Sequence, residues 1–89
     1  MNIIGTISHI DDKVNSKGID YQTIWLSHPN DKTPVPVQFK GDRCNQILKY
    51  KVGSEVSVDF NINTNVKFND RGEKHKVNIN LYGIMINPL

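Results

Sequence analysis

The chain alternates between apolar and polar positions in short segments. From Ile3 to Ile10, Ile3, Gly5 and Ile7 alternate with Ile4, Thr6 and Ser8, the two-residue period of a half-buried strand, until Ile10 breaks it. A glycine inside such a run predicts a bend or bulge at Gly5. Asp11 to Gly18 is polar and ends in glycine, so it reads as a hairpin loop into a second strand, Ile19 to Ser27. That strand is β-branched and aromatic, with Tyr21, Thr23 and Trp25 on one face and Gln22, Ile24 and Leu26 on the other. His28 to Pro34 has the composition of a turn. Pro34 and Pro36 predict that the third strand, with Val35, Val37 and Phe39 inward, starts as an edge or bulged segment.

The period then changes. Cys44, Ile47, Leu48 and Tyr50 make an apolar stripe on about two turns of helix from Arg43 to Tyr50, which Asp42 is placed to cap. Val52-Gly53 ends the helix, after which Val56, Val58, Phe60 and Ile62 face one way and Ser57, Asp59 and Asn61 the other in a fourth strand. Asn63 to His75 is a polar loop or protruding hairpin with Asn69-Asp70-Arg71-Gly72 at its tip. In the last strand, Lys76 to Ile86, the inward phase shifts from Val77, Ile79 and Leu81 to Ile84 and Ile86, which places a bulge at Tyr82-Gly83.

Three strands, one short helix and two more strands predict an all-β fold, a five-stranded Greek-key barrel of the OB type with the helix between strands three and four plugging one end. A general α+β sandwich is the alternative. With 89 residues there is room for a single domain, residues 1–89, around one core.

Composition narrows the classes further. A 37% hydrophobic and 22% charged chain is an ordinary globule rather than a disordered one. No apolar run approaches the ~20 residues that cross a bilayer, and Met1 to Ile10 lacks a basic start, so a cytoplasmic protein with no membrane partner is expected. Cys44, the one cysteine, has no internal disulfide partner and no zinc-site spacing, and is expected to be a small buried or half-buried side chain. His9, His28 and His75 fall on separate elements, Asp11-Asp12 reads as a solvated loop pair, and no glycine-rich phosphate loop is present. The expectation is therefore a protein that is not an enzyme, with no catalytic residue, no metal and no cofactor.

The net charge of +2 is too small to argue a partner, but its distribution says more. Single-stranded nucleic acid is held by rings on which bases stack, set in a cationic groove. With Ile24 and Leu26 inward, alternation sends Tyr21 and Trp25 outward, and Gln38 and Lys40 join them from the third strand, on the two strands that form the ligand face of an OB fold. The other reading makes Trp25 the largest core residue and Tyr21 a cover for the barrel edge. The segment from Asn63 to Lys76 sets Lys67, Arg71, Lys74 and Lys76 against Asp70 and Glu73, with Phe68 among them. Such an arm suits folding over a nucleic-acid strand; alternatively Phe68 packs on Val66 or on a partner subunit. Lys40, Arg43, Lys49 and Lys51 against Asp42 form a second positive cluster.

The residues also carry a resemblance. The opening Ile-x-Gly-Thr-Ile, Val37-Gln38-Phe39 running into Gly41-Asp42-Arg43, and Tyr50-Lys51-Val52-Gly53-Ser54-Glu55-Val56-Ser57-Val58-Asp59-Phe60-Asn61-Ile62 resemble a family of short bacterial and phage domains similar to single-stranded DNA-binding proteins. The resemblance runs from about Ile3 to Met85. That family often carries a Trp just before the Gly-Asp pair, where this chain has Lys40. What it implies is an OB-fold DNA-binding protein, largely indifferent to sequence, that protects exposed strands in DNA replication or recombination. The expected partner is single-stranded DNA, with RNA the alternative nucleic acid, and self-association into a homo-oligomer is expected because so small a barrel has open edges. A different class fits the same face: an OB-fold protein-interaction module without nucleic-acid affinity.

Overall fold

A strand that must serve two neighbours has to bend, and β1 (Asn2–Ile10) does so. Its first half, Asn2 to Thr6, pairs antiparallel with β5 (Glu55–Phe68), and its second half, Thr6 to Ile10, pairs with β3 (Ile19–His28). At the bend, a β-carbon on Gly5 would lie 3.0 Å from Ser27 O and 3.4 Å from Leu26 Cβ, so the glycine permits a close backbone approach. The bulge itself falls two to three residues later, between Ile7 and His9, not at Gly5.

The computed structural model describes residues 1–68, 71–72 and 74–89, and among these all side chains except those of residues 32, 65–68 and 74–77. The strands make one sheet, β1-β5-β6-β4-β3-β2, in which β1 also pairs with β3, so the hydrogen bonding runs in a closed circuit through five strands. The remaining strands are β2 (Val14–Ser16), β4 (Asp31–Lys40) and β6 (Lys74–Pro88). The sixth strand was not anticipated: β2 lies inside the expected loop and pairs with Ile19 to Tyr21. Likewise the turn before β4 is confined to Pro29-Asn30, and the expected loop from Asn63 to His75 is mostly strand. Its β5 and β6 arms pair from Val56 opposite Pro88 to Phe68 opposite Lys74.

Circuit closure between β4 and β6 is parallel and rests on one register pair, Gln38 with Tyr82. Beyond it the β6 backbone is met by a side chain instead: Gln46 Nε2 donates to Ile84 O (2.9 Å) and Gln46 Oε1 accepts from Ile86 N (2.8 Å). This amide satisfies groups that the missing strand contacts would leave unpaired. Gln46 belongs to a 3-10 helix, Gly41–Lys49, rather than the α-helical turns expected from Arg43. Its N-cap is Lys40, without a side-chain cap bond, so Asp42 is a first-turn acid and not the cap. Cys44 and Ile47 are buried from it, whereas Leu48 points away and is 75% exposed, because the tighter helix moves it off the apolar stripe.

Inside the circuit, Ile7, Ile24, Leu26, Val37, Phe39, Val56 and Val58 are fully enclosed, with Phe60 and Ile86 nearly so. Phe39 and Gly83 are fitted to each other: a β-carbon on Gly83 would overlap Phe39 Cζ and Cε1, so the ring occupies that space. The β6 bulge sits here, Phe60 and Asp59 pairing with Gly83 and Met85 and leaving Ile84 over. Past the circuit the inward phase continues without a core to face, so Ile62 and Ile79, expected inside, are 44% and 67% exposed. Among the described residues no helix is long and apolar enough to cross a membrane.

Candidate nucleic-acid interface

Antiparallel register places three cross-strand pairs on the outer face of β3 and β4: Tyr21 opposite Lys40, Thr23 opposite Gln38, and Trp25 opposite Pro36. Their neighbours Ile24, Leu26, Val37 and Phe39 are enclosed, so alternation leaves these six outside the core. Tyr21, Thr23, Trp25 and Gln38 are half-buried, while Lys40 and Pro36 are exposed. The strand prolines are tolerated because the far edge of β4 is paired with β6 only at Gln38.

The face is concave. A 610 Å³ depression bounded by Asp11, Tyr21, Thr23 and Gln38 shares Thr23 and Gln38 with a second of 330 Å³, which reaches Pro36, Ile79 and Leu81. It shares Tyr21 with a third of 360 Å³, lined by Lys40, Arg43, Asn63 and Tyr82. Through these shared residues the three depressions neighbour one another between the β1–β2 loop and β6. Lys40 Nζ stands 6.0 Å from the centroid of the Tyr21 ring, at the outer reach of a cation–π contact. A ring and an ammonium side by side can take a base and its phosphate together.

Trp25 is outward but does not line these depressions. Its indole N–H donates to Asp11 Oδ1 (3.1 Å), the same oxygen that His9 Nε2 approaches at 3.0 Å. Asp11 is tied down twice more: its N–H donates to Thr23 O (2.9 Å) and its carbonyl accepts from Gln22 Nε2 (2.9 Å). The reading of Asp11 as merely solvated is thus corrected, since it pins the β1–β2 loop against β3; Asp12 remains exposed.

Of the residues singled out from the sequence, Tyr21, Gln38 and Lys40 come together, and Trp25 sits beside them. Arg71 is exposed in the turn between β5 and β6. Lys67 opposite Lys76 and Phe68 opposite Lys74 are cross-strand backbone pairs on the hairpin, but the side chains of these four lie outside the described residues. Thr23, Pro36, Ile79, Leu81 and Tyr82 complete the groove without having been chosen. Thr23 and Pro36 follow from the same alternation that placed Tyr21, whereas the β6 residues depend on a parallel closure between distant segments.

Cys44 is enclosed, with Sγ 3.3 Å from Phe39 O, and burial pushes its thiol above the ordinary value. Among the described residues no group of three histidine, cysteine or acidic side chains comes together to hold a metal ion. No family model matches the chain, and no curated protein matches it significantly.

Proposed function

We propose that the chain is an OB-type barrel that binds single-stranded nucleic acid, DNA foremost, across the outer face of β3 and β4. Strand order supports the fold. Counting only the five strands of the circuit, neighbours run first, second, third, fifth, fourth and back to first, with the third and fifth parallel. A five-stranded Greek-key barrel of this kind presents its second and third strands, flanked by the first-to-second and fourth-to-fifth loops, to oligonucleotides. Here those strands are β3 and β4, and the flanking segments are the β1–β3 connection and the β5–β6 hairpin.

One observation carries the reading: Tyr21, with Lys40 beside its ring, lines two neighbouring depressions, one of which also holds Lys40 and Arg43. Stacking on such a ring is worth ~1–3 kcal/mol per base and tolerates any base, while the cations neutralise phosphates. The role, covering exposed strands during replication or recombination, rests on the resemblance of residues Ile3 to Met85 to the single-stranded DNA-binding type. Outer edges of the β5–β6 arm that no described strand covers favour assembly of several copies.

A titration of labelled oligo-dT at two salt concentrations, with single-stranded RNA and duplex DNA alongside, tests the proposal. Affinity for oligo-dT should exceed that for duplex and fall with salt at a slope near −0.7 per neutralised phosphate. Absence of binding at low salt would overturn it and leave the face to a protein partner.

A further inference from the structure

The β5–β6 arm runs past the barrel with one edge open. Phe60 is the last residue of β5 that the first strand's end reaches: its N–H donates to Met1 O (2.9 Å) and its carbonyl accepts from the Met1 amino group (3.3 Å). Strand residues turn their backbone groups to alternate sides, so Ile62, Thr64, Val66 and Phe68 point N–H and C=O the same way as Phe60, while the odd-numbered residues serve β6. No described strand lies on that open side. Two other edges are guarded. β2 is three residues long, and Pro34 and Pro36 lack the donors that a strand beside β4 would need. From Asn61 to Val66 the β5 edge has no proline, no glycine and no charge, so none of these devices keeps another strand away. Two paired strands alone are marginal in water, and on this arm Ile62 and Ile79 are exposed. A further strand answers both deficits.

We infer that this edge pairs antiparallel with the same edge of a second copy, joining two arms into one four-stranded sheet about a two-fold axis at Asn65. Three limits set the register. Open backbone groups must meet open groups, so even-numbered residues face even-numbered ones. Pairing must stay clear of Phe60, whose groups are held by Met1, and it must stop at Phe68, where β5 ends. An axis at Asn65 meets all three, setting Ile62 opposite Phe68 and Thr64 opposite Val66, each twice over by symmetry. Moving the axis to Thr64 drives Phe68 of the second copy against Phe60, and moving it to Val66 leaves Ile62 unpaired. In the chosen register Lys67 falls opposite Asn63 rather than its own copy, so no like charges are apposed. Asn61, Asn63 and Asn65 give the edge no charge by which to select a foreign peptide, whereas a second copy brings a strand of equal length with the same groups open. The inference names the surface for the assembly stated above and does not depend on nucleic-acid binding.

Sedimentation of the intact chain across a concentration series should reach twice the 10.1 kDa of one copy. Thr64→Pro should weaken that association at least about tenfold, because it removes a donor from the open edge of each copy and none from the β6 ladder. Cross-linking reads the register. In a Cys44→Ser background, Asn65→Cys should oxidise to a disulfide-linked dimer at least about tenfold faster than Asn61→Cys. Residues facing each other in a non-hydrogen-bonded pair stand about 4.5 Å apart at Cα, within the span of a disulfide, whereas the two copies of residue 61 lie roughly 26 Å apart along the strands. A monomer at every concentration would overturn the inference together with the assembly. A dimer in which Asn65→Cys links no faster than Asn61→Cys would overturn this interface alone, whether or not Thr64→Pro folds. So would a folded Thr64→Pro chain that associates like the parent. Oligo-dT binding, measured separately, decides the nucleic-acid reading.

Discussion

The two outer faces of the sheet differ in how their polar groups are used. On the β1–β5 face, Asn2 Nδ2 donates to Ser57 Oγ (2.6 Å) and Asp59 Oδ1 (2.9 Å), so these side chains bind one another. The exposed apolar groups there, Ile4 and Met85, stand among Glu55 and Asp59, with no aromatic ring in the β1–β5 pairs. On the β3–β4 face, Tyr21, Thr23 and Gln38 line a groove, and Gln38 makes no side-chain hydrogen bond to any described residue. A surface whose polar groups are mutually satisfied has little left for a ligand, whereas one with unspent donors and a half-buried ring gains by meeting one. One part of the second face is already committed, the edge where Trp25 is bound to Asp11.

The contrast can be broken outright by removing the support beneath the groove. Gly83→Ala drives a methyl group into Phe39, which lies between Gln38 and Lys40 in β4, and should cost ~3 kcal/mol or more in urea unfolding. Tyr21→Ala should weaken oligo-dT binding at least about tenfold while the melting temperature moves by only a few degrees, because it removes a stacking ring from outside the core. Asn2→Ala, on the other face, should change that affinity less than about twofold. Lys40→Ala should flatten the salt dependence of binding by about 0.7, one phosphate contact, whereas Asp59→Asn should leave the slope alone. Trp25→Phe keeps a ring but gives up the bond to Asp11, so it should cost about 1 kcal/mol of stability and leave affinity within about threefold. A tenfold loss of affinity there would instead make the indole a stacking platform.

A smaller effect belongs to Cys44, enclosed behind the same two strands. Its folded pKa lies above its ordinary value of 9.0, so the unfolded chain loses the thiol proton first. The thiol's contribution to stability is complete below pH 9.0 and is lost as pH rises through the folded value. Alkaline thermal melts should show this loss, and Cys44→Ser, which never ionises in this range, should remove that part of the decline. A thiol reagent should label native Cys44 only as fast as the fold opens.

Much of this was legible in the chain because period-two alternation is a local signal. It placed Val37, Phe39, Val56 and Val58 inside from neighbouring residues alone, and set Tyr21, Thr23 and Trp25 on the face opposite Ile24 and Leu26, leaving open for Tyr21 and Trp25 whether that face looked outward. What escaped depends on segments distant in sequence. Ile62 and Ile79 keep the inward phase but lie beyond the last strand able to cover them, so apolar character misled. Leu48 misled for another reason, since a 3-10 helix turns faster than the α-helix assumed. The short β2 exists because Val14 to Ser16 find a partner in Ile19 to Tyr21, where polar composition alone read as loop. For Trp25 the sequence left the outward and core readings open, and its bond to Asp11 was not foreseen, because the β1 bulge at Ser8 sets which residues of the loop reach it.

The most direct measurement is backbone NMR on the labelled chain during titration with oligo-dT at low salt. The account predicts that amide shifts move chiefly over Tyr21 to Trp25 and Gln38 to Lys40, with Asn2 to Thr6 and Glu55 to Asp59 nearly still. Perturbations concentrated on the β1–β5 face, or no perturbation at all, would contradict it.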